Sequence, residues 1–179
     1  FSFIHNAGQC CVSGSRLYIH SKIYTNFMRI LRYKLEKIKN YQSTTTLNQY
    51  LKIKKIVLNG IKKKIPILYK REELFDDQNR VIYPIIFKKN KNSSILDDEI
   101  FGPVLTIETF NKTKNLINLM NDTNYGLSAL IWTKNKKKAI NLAKEINFGR
   151  IWINGNISQN YPELSIGGFK ESGLNRETG

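Results

Sequence analysis

The chain contains 179 residues, which is about the size of one domain and long enough to bury a hydrophobic core. Hydrophobic residues make up 41% of it, which excludes an intrinsically disordered protein. No apolar run reaches the roughly 20 residues that a membrane-spanning helix needs, so no membrane association is expected. The two cysteines are adjacent, and adjacent cysteines rarely meet disulfide geometry without strain. Two free thiols predict a reducing, cytoplasmic location.

The net charge of +15 leaves two interpretations open. A strongly basic chain can bind nucleic acid or another anionic surface. Here the lysines are scattered over predicted helix surfaces and loops, and no recognition motif combines them with aromatic residues. We therefore expect a solvated basic surface and no nucleic-acid partner, and keep a basic nucleic-acid-binding module as the minor alternative.

In the first half of the chain, apolar periodicity and turn residues predict both strands and helices. The predicted strands cover 16–20, 65–69 and 81–87, and the predicted helices cover 23–38 and 47–58. Ser21 is the expected N-cap of the first helix, and Gly60 is the expected C-terminal stop of the second. Pro84 interrupts the last of these strands, which predicts an edge position or a bulge.

The second half of the chain predicts regular alternation of strands and helices. The predicted strands cover 104–110, 129–133 and 150–154, the predicted helices cover 112–120 and 135–146, and the tail over 155–179 is loop-like. Strands that alternate with helices of this length indicate an α/β fold. We expect three layers, with a largely parallel sheet and flanking helices.

Two thiols lie in a tight turn in the segment Asn6-Ala7-Gly8-Gln9-Cys10-Cys11. A cysteine nucleophile needs an accessible thiolate, a lowered pKa and backbone N–H groups that meet the developing oxyanion. The glycine permits backbone conformations that other residues resist. Neither His5 nor His20 is placed by the sequence to complete a Cys-His pair, which argues against a cysteine protease.

Two further segments carry features typical of a binding site. Glu99-Ile100-Phe101-Gly102-Pro103-Val104 joins a carboxylate and an aromatic ring to a strand, and carboxylates accept hydrogen bonds from sugar hydroxyls in dinucleotide sites. Its other interpretation is an acidic surface turn. The second segment is the glycine-rich stretch Ile166-Gly167-Gly168-Phe169-Lys170-Glu171-Ser172-Gly173. In this order, the thiol segment and these two segments resemble the aldehyde dehydrogenase superfamily, and the resemblance is weakest over about 40–80.

The resemblance implies a role for several individual residues. The nucleophile would be Cys11, the second residue after the glutamine, and not Cys10. Glu99 would bind the nicotinamide ribose hydroxyls, and Phe101 would pack beside the nicotinamide. Cys10, Asn154, Tyr161 and Ile166 would contribute to the substrate pocket, with a turn-forming role as the alternative for the asparagine. No metal site is predicted.

The implied reaction is oxidation of an aldehyde to a carboxylic acid through a cysteine thiohemiacetal and thioester. The cofactor would be NAD or NADP, bound mainly by an upstream domain. We therefore expect this chain to be part of a longer, homo-oligomeric enzyme. The chain by itself is expected to be inactive. Its residues 1–165 would form the thiol-bearing catalytic domain, and 166–179 would return towards the nucleotide-binding domain. A catalytically silent relative with a binding or assembly role is the alternative.

Overall fold

A computed structural model describes residues 2–90, 93–155 and 163–178. The chain divides into two compact units, Phe1–Phe110 and Asn111–Gly179. The first unit contains the thiol segment and the Glu99–Val104 segment, and the second contains the glycine-rich segment. The predicted division into 1–165 and 166–179 concerns the longer enzyme and stays a prediction.

The first unit is built around a four-stranded sheet. The strands of this unit are β1 Arg16–His20, β2 Ile67–Tyr69, β3 Phe75–Asp76, β4 Val81–Ile82, β5 Ile85–Lys88 and β6 Val104–Phe110. The helices of this unit are α1 Tyr24–Glu36 and α2 Leu47–Lys62. The sheet order is β1-β6-β5-β2, with β3 and β4 forming a separate pair. β1, β6 and β5 run parallel, whereas β2 pairs antiparallel with β5. The sheet is therefore mixed, with one antiparallel edge strand.

Alternation of side chains along the central strands gives this sheet two apolar faces. Ile85 and Phe87 of β5 share a buried cluster with Tyr50, Ile53 and Val57 of α2. Ile86, which lies between them, faces the other side of the sheet, because successive strand residues face opposite sides. Together with Ile107 of β6 it belongs to a second buried cluster, which includes Met28 and Leu35 of α1. One helix thus covers each face of the sheet, which gives the three layers expected from the sequence.

Three local expectations for this unit were wrong. The turn before α1 begins with His20, whose Nδ1 accepts from the Lys22 N–H at 3.2 Å, so Ser21 is not the cap. Gly60 lies inside α2, and a Cβ there would lie 3.1 Å from the Phe87 ring, so this glycine permits helix–sheet packing and does not end the helix. Pro84 separates β4 from β5, and β5 is an interior strand.

The second unit contains two short pairs of strands and two helices. Its elements are α3 Thr113–Asn121, β7 Tyr125–Gly126, β8 Ser128–Ile131, α4 Lys136–Glu145, β9 Arg150–Ile153 and β10 Phe169–Lys170. β8 and β9 pair in parallel, and α4 packs against β9 and α3. β10 pairs antiparallel with β7, and Ile166 forms a bridge with Glu177. The tail, expected to be loop-like, is therefore partly ordered by strand pairing.

Both units have the α/β character expected from the sequence, and the alternation of helices with parallel strands is confirmed. None of the helices among the described residues has the length and hydrophobicity needed to span a bilayer.

Candidate active site

A strained loop presents the two thiols. His5–Gly8 form a short 3₁₀ turn in which Asn6, Ala7 and Gly8 have φ values of 51°, 54° and 71°. The Gln9 N–H donates to the Asn6 carbonyl at 2.9 Å, and the Asn6 side-chain amide donates back to the Gln9 carbonyl at 3.0 Å. Non-glycine residues hold positive φ only where the surrounding structure imposes it. This loop therefore depends on its neighbours for its shape.

The loop packs main chain to main chain against the segment that contains Glu99 and Phe101. A Cβ placed at Gly8 would overlap the Gly102 carbonyl group and lie 2.7 Å from the Pro103 nitrogen. Both the positive φ and this close approach require glycine at position 8. Two segments that are distant in the sequence are therefore brought together beside the thiols, as their resemblance to one family implies.

Neighbouring side chains hold the Glu99–Gly102 segment in place. The Gln49 side-chain amide donates to the carbonyls of Ile100 and Phe101, each at 3.1 Å. Phe101 has φ of 55° and is half-buried, whereas the Glu99 side chain is exposed. Upstream, Arg16 donates to the Asp97 carbonyl, and the Asp97 carboxylate pairs with Lys89. The carboxylate and the aromatic ring thus project from a backbone anchored on several sides.

The two sulfur atoms differ in exposure. Cys11 is exposed, and Cys10 is half-buried. Partial burial raises the pKa of the Cys11 thiol, and the charge and hydrogen bond of the Cys10 thiol raise it further. Hydrogen bonds from the backbone N–H groups of Val12 and Cys11 lower the pKa of the Cys11 thiol, but not enough to offset these causes. No lysine, arginine or histidine among the described residues shifts this pKa, so the lowered pKa expected of a nucleophile is not supplied here.

The candidate substrate residues other than Cys10 belong to the second unit or fall outside the described residues. The Asn154 side chain accepts from the Thr133 N–H and donates to the Thr133 carbonyl, both at 2.8 Å. Its amide therefore fixes the turn after β9, with φ of 53° at Asn154 itself. Ile166 is half-buried and exchanges two backbone hydrogen bonds with Glu177. Tyr161 lies outside the described residues.

Cationic side chains anchor the glycine-rich segment to the rest of the second unit. Arg176 donates to the Gly149 carbonyl at 2.7 Å, and the Lys170 ammonium donates to the carbonyls of Asn121 and Thr123 at 2.7 and 2.6 Å. Arg150 donates to the Ser165 carbonyl at 3.2 Å. Lys170 therefore anchors the segment itself, and Arg150 and Arg176 hold the residues that flank it.

Sequence reasoning missed the polar contacts of Thr45 and Gln49, which hold the two candidate loops. Thr45 lies between the two helices predicted over 23–38 and 47–58, and it forms two hydrogen bonds with the Gln9 side chain. Gln49 was likewise only a position within a predicted helix. The sequence feature that could have indicated the contact with Thr45 was Gln9 itself, because its side chain has a donor and an acceptor that both need partners.

Neither of the two cavities that the structure describes, and no metal-ligand cluster among the described residues, marks the candidate site. The two cavities described lie on the surface of the first unit, one along α1 and the other where Arg71 and Tyr83 meet the end of α1. Neither is lined by a predicted site residue. Within residues 2–90, 93–155 and 163–178, no three His, Cys, Asp or Glu side chains group as a metal site. The assignment therefore rests on the geometry of the thiol loop.

Comparison with known proteins gives one consistent result. The profile described as the aldehyde dehydrogenase family matches residues 1–179. Betaine aldehyde dehydrogenase of Bacillus subtilis (strain 168) is 35% identical over 190 residues, which cover 99% of this chain and 38% of that protein. Human retinaldehyde dehydrogenase 3 is 34% identical over 184 residues, which cover 97% of this chain and 36% of that protein.

Solved structures show the same similarity. The crystal structure of NAD-dependent aldehyde dehydrogenase from Sinorhizobium meliloti superposes with a TM-score of 0.91 at 34% identity, covering 99% of this chain and 37% of that one. Succinic semialdehyde dehydrogenase from Streptococcus pyogenes, in complex with NADP⁺, superposes with a TM-score of 0.90 at 28% identity, covering 99% and 41%. The chain spans 38% of the length of the B. subtilis protein and 36% of the human one.

Proposed function

Because the chain belongs to the aldehyde dehydrogenase family, we propose that it is the thiol-bearing part of a longer enzyme that oxidises an aldehyde to a carboxylic acid with NAD or NADP. The observation that carries this proposal is the packing of the Gly8 loop, with the exposed Cys11 beside it, against the segment of Glu99 and Phe101. A nucleophile and candidate cofactor contacts are thereby held on one rigid framework.

Cys11 performs the covalent chemistry in this proposal. Its thiolate adds to the aldehyde carbonyl carbon and forms a thiohemiacetal, whose oxyanion is stabilised by the Cys11 backbone N–H and by a donor from the rest of the enzyme. As the oxyanion collapses, a hydride would pass from the same carbon to the bound cofactor, and a thioester would remain on the Cys11 sulfur. Water then attacks the thioester, which releases the carboxylic acid and returns the thiol.

The oxidised nicotinamide supplies the hydride acceptor, and two residues of this chain fit its binding. The exposed Glu99 carboxylate offers acceptor oxygens for ribose hydroxyls, and the half-buried Phe101 ring offers an apolar surface for the nicotinamide. Support comes from relatives whose structures contain NAD⁺ or NADP⁺. Since the chain covers well under half of those proteins, the remaining cofactor contacts would belong to the longer enzyme.

The remaining assignments are proposals of the same kind. We assign Cys10, Asn154, Tyr161 and Ile166 to the walls of the aldehyde pocket, with Asn154 acting through its fixed turn. Residues 166–179 would lead towards the nucleotide-binding domain. We also propose a homo-oligomeric, cytosolic enzyme that acts on a small-molecule aldehyde. The two free thiols support the cytosolic location.

Steady-state kinetics with the full-length protein tests the function. We expect reduced cofactor to form from an aldehyde and NAD⁺ or NADP⁺, and we expect Cys11→Ser to abolish that formation while Cys10→Ser retains most of it. Residues 1–179 alone should give no turnover. Activity that survives Cys11→Ser would contradict the assignment of the nucleophile, and a full-length protein that reduces neither cofactor with any aldehyde would favour the catalytically silent relative.

A further inference from the structure

Gln9, which immediately precedes the two cysteines, has every polar group engaged. Its side-chain amide donates to the Thr45 hydroxyl at 2.6 Å, and its side-chain oxygen accepts from the Thr45 N–H at 2.9 Å. Its main-chain N–H and carbonyl are both bonded to Asn6. A glutamine that uses its donor and its acceptor on one distant residue fixes both the distance and the orientation of the two segments.

The partner of this glutamine is placed at the start of a well-anchored helix. Thr45 directly precedes Thr46, whose hydroxyl accepts from the Gln49 N–H at 3.2 Å and caps α2. The buried face of α2 includes Tyr50 and Ile53, which are 1% and 0% exposed. The Gln9–Thr45 contact therefore ties the thiol loop to an element that the core holds in place.

The same end of α2 also holds the candidate cofactor segment. Gln49 bonds the carbonyls of Ile100 and Phe101 from the first turn of the helix. Two glutamines thus connect both candidate loops to one helix end, Gln9 from the loop side and Gln49 from the helix side. A small shift of either loop relative to this end would change the direction of the Cys11 sulfur and N–H relative to Phe101.

We infer that Gln9 and Thr45 are positioning residues, which hold Cys11 in its reactive orientation. Their two mutual hydrogen bonds, here called the clasp, join the strained thiol loop to the start of α2. The inference rests on the proposed function, because orientation of Cys11 matters only if that sulfur reacts. The clasp lies at the surface, where a hydrogen bond contributes little to global stability. Its contribution should therefore appear in reactivity and not in the free energy of unfolding.

The test uses the full-length protein and four variants. Gln9→Ala removes both bonds, and we expect kcat to fall on the order of tenfold or more, with the KM for the cofactor within about twofold of wild type. Thr45→Val removes only the hydroxyl bond and should give a smaller loss. Thr45→Ser keeps both bonds and should restore the wild-type rate. Gln42→Ala, an exposed glutamine of the same connection, is the matched control and should change nothing.

Mass-mapped alkylation of Cys11 by iodoacetamide supplies a second readout that does not require dehydrogenase activity. Gln9→Ala and Thr45→Val should change the ratio of Cys11 to Cys10 labelling, whereas Thr45→Ser and Gln42→Ala should keep it. If the wild-type protein shows no turnover, the proposed function fails and this ratio still tests the clasp. Should Gln9→Ala fail to fold, Thr45→Val takes its place. An unchanged kcat or labelling ratio in the folded variant overturns the inference.

Discussion

At the scale of single residues, the Cys11 thiol is accessible, but none of the side chains that the structure describes lowers its pKa. Partial burial is the largest cause of its raised pKa, and the neighbouring Cys10 thiol adds to it through charge and a hydrogen bond. A raised pKa means less thiolate at any given pH, and the thiolate is the nucleophile. In the proposed enzyme, the activating base would therefore come from outside this chain.

Replacement of Cys10 by alanine should make Cys11 more reactive near neutral pH. The variant removes two of the causes that raise the Cys11 pKa but leaves the burial, so the midpoint of the pH-dependence should move partly towards lower pH. The measurement is the mass-mapped alkylation rate of Cys11 as a function of pH. Cys10→Ser, which keeps a hydrogen-bonding group, should shift the midpoint less. A midpoint that stays in place or rises after Cys10→Ala contradicts this account.

At the scale of elements, α2 connects the core to the candidate site. Its inner face lies in the cluster shared with β5, and Gln49 of its first turn bonds the Phe101 segment. Thr45, which lies just before the helix, bonds Gln9 of the thiol loop. The N-terminus of α2 is capped by Thr46, whose side chain satisfies one of the N–H groups that a helix start leaves without a partner. The stability of this cap therefore affects both the fold and the site.

Thr46→Ala should lower the free energy of unfolding by about 1 kcal/mol, since loss of an N-cap hydroxyl typically costs roughly 0.5–2 kcal/mol. Urea denaturation followed by circular dichroism measures the change. Thr46→Ser retains a capping oxygen and should remain within a few tenths of a kcal/mol of wild type. Equal destabilisation by both variants would show that the methyl group, and not the hydroxyl, stabilises the start of α2.

Periodicity predicted the elements of this chain better than it predicted their ends. The strand over 104–110 matches β6 residue for residue, because a run of β-branched residues between turn residues has few alternatives. The end of α2 was wrong because Gly60 is used to approach the Phe87 ring, a tertiary contact that no local pattern contains. Strand pairing of Phe169 with Gly126 was missed for the same reason.

At the scale of the whole molecule, the sequence also indicated which loops would meet, but not how they are held. The motifs pointed to Cys11 and to Glu99 and Phe101, and the packing of Gly8 on Gly102 places these segments side by side. The contact between Gln9 and Thr45 joins residues far apart in the chain, so neither helix propensity nor spacing could reveal it. Long-range polar contacts of this kind need coordinates.

The charge of +15 acts over the whole molecule and should give weak, non-specific attraction to polyanions. We expect retention on heparin or on duplex DNA at low salt to fall steeply between roughly 50 and 200 mM NaCl, without preference for any DNA sequence. Gel-shift titrations at several salt concentrations measure it, with an uncharged polysaccharide matrix as control. Tight, sequence-dependent binding at physiological salt would instead support the alternative of a basic nucleic-acid-binding module.

The close contact between Gly149 and Gly167 restricts which residues can occupy position 149 in the second unit. The Gly167 carbonyl oxygen occupies the space in which a Cβ at position 149 would have to lie, so no substitution fits there unless the backbone retreats. In a saturation library, every variant at position 149 should therefore be depleted, conservative alanine included. A homologue that carries a larger residue at position 149 would need a different backbone path for the glycine-rich segment.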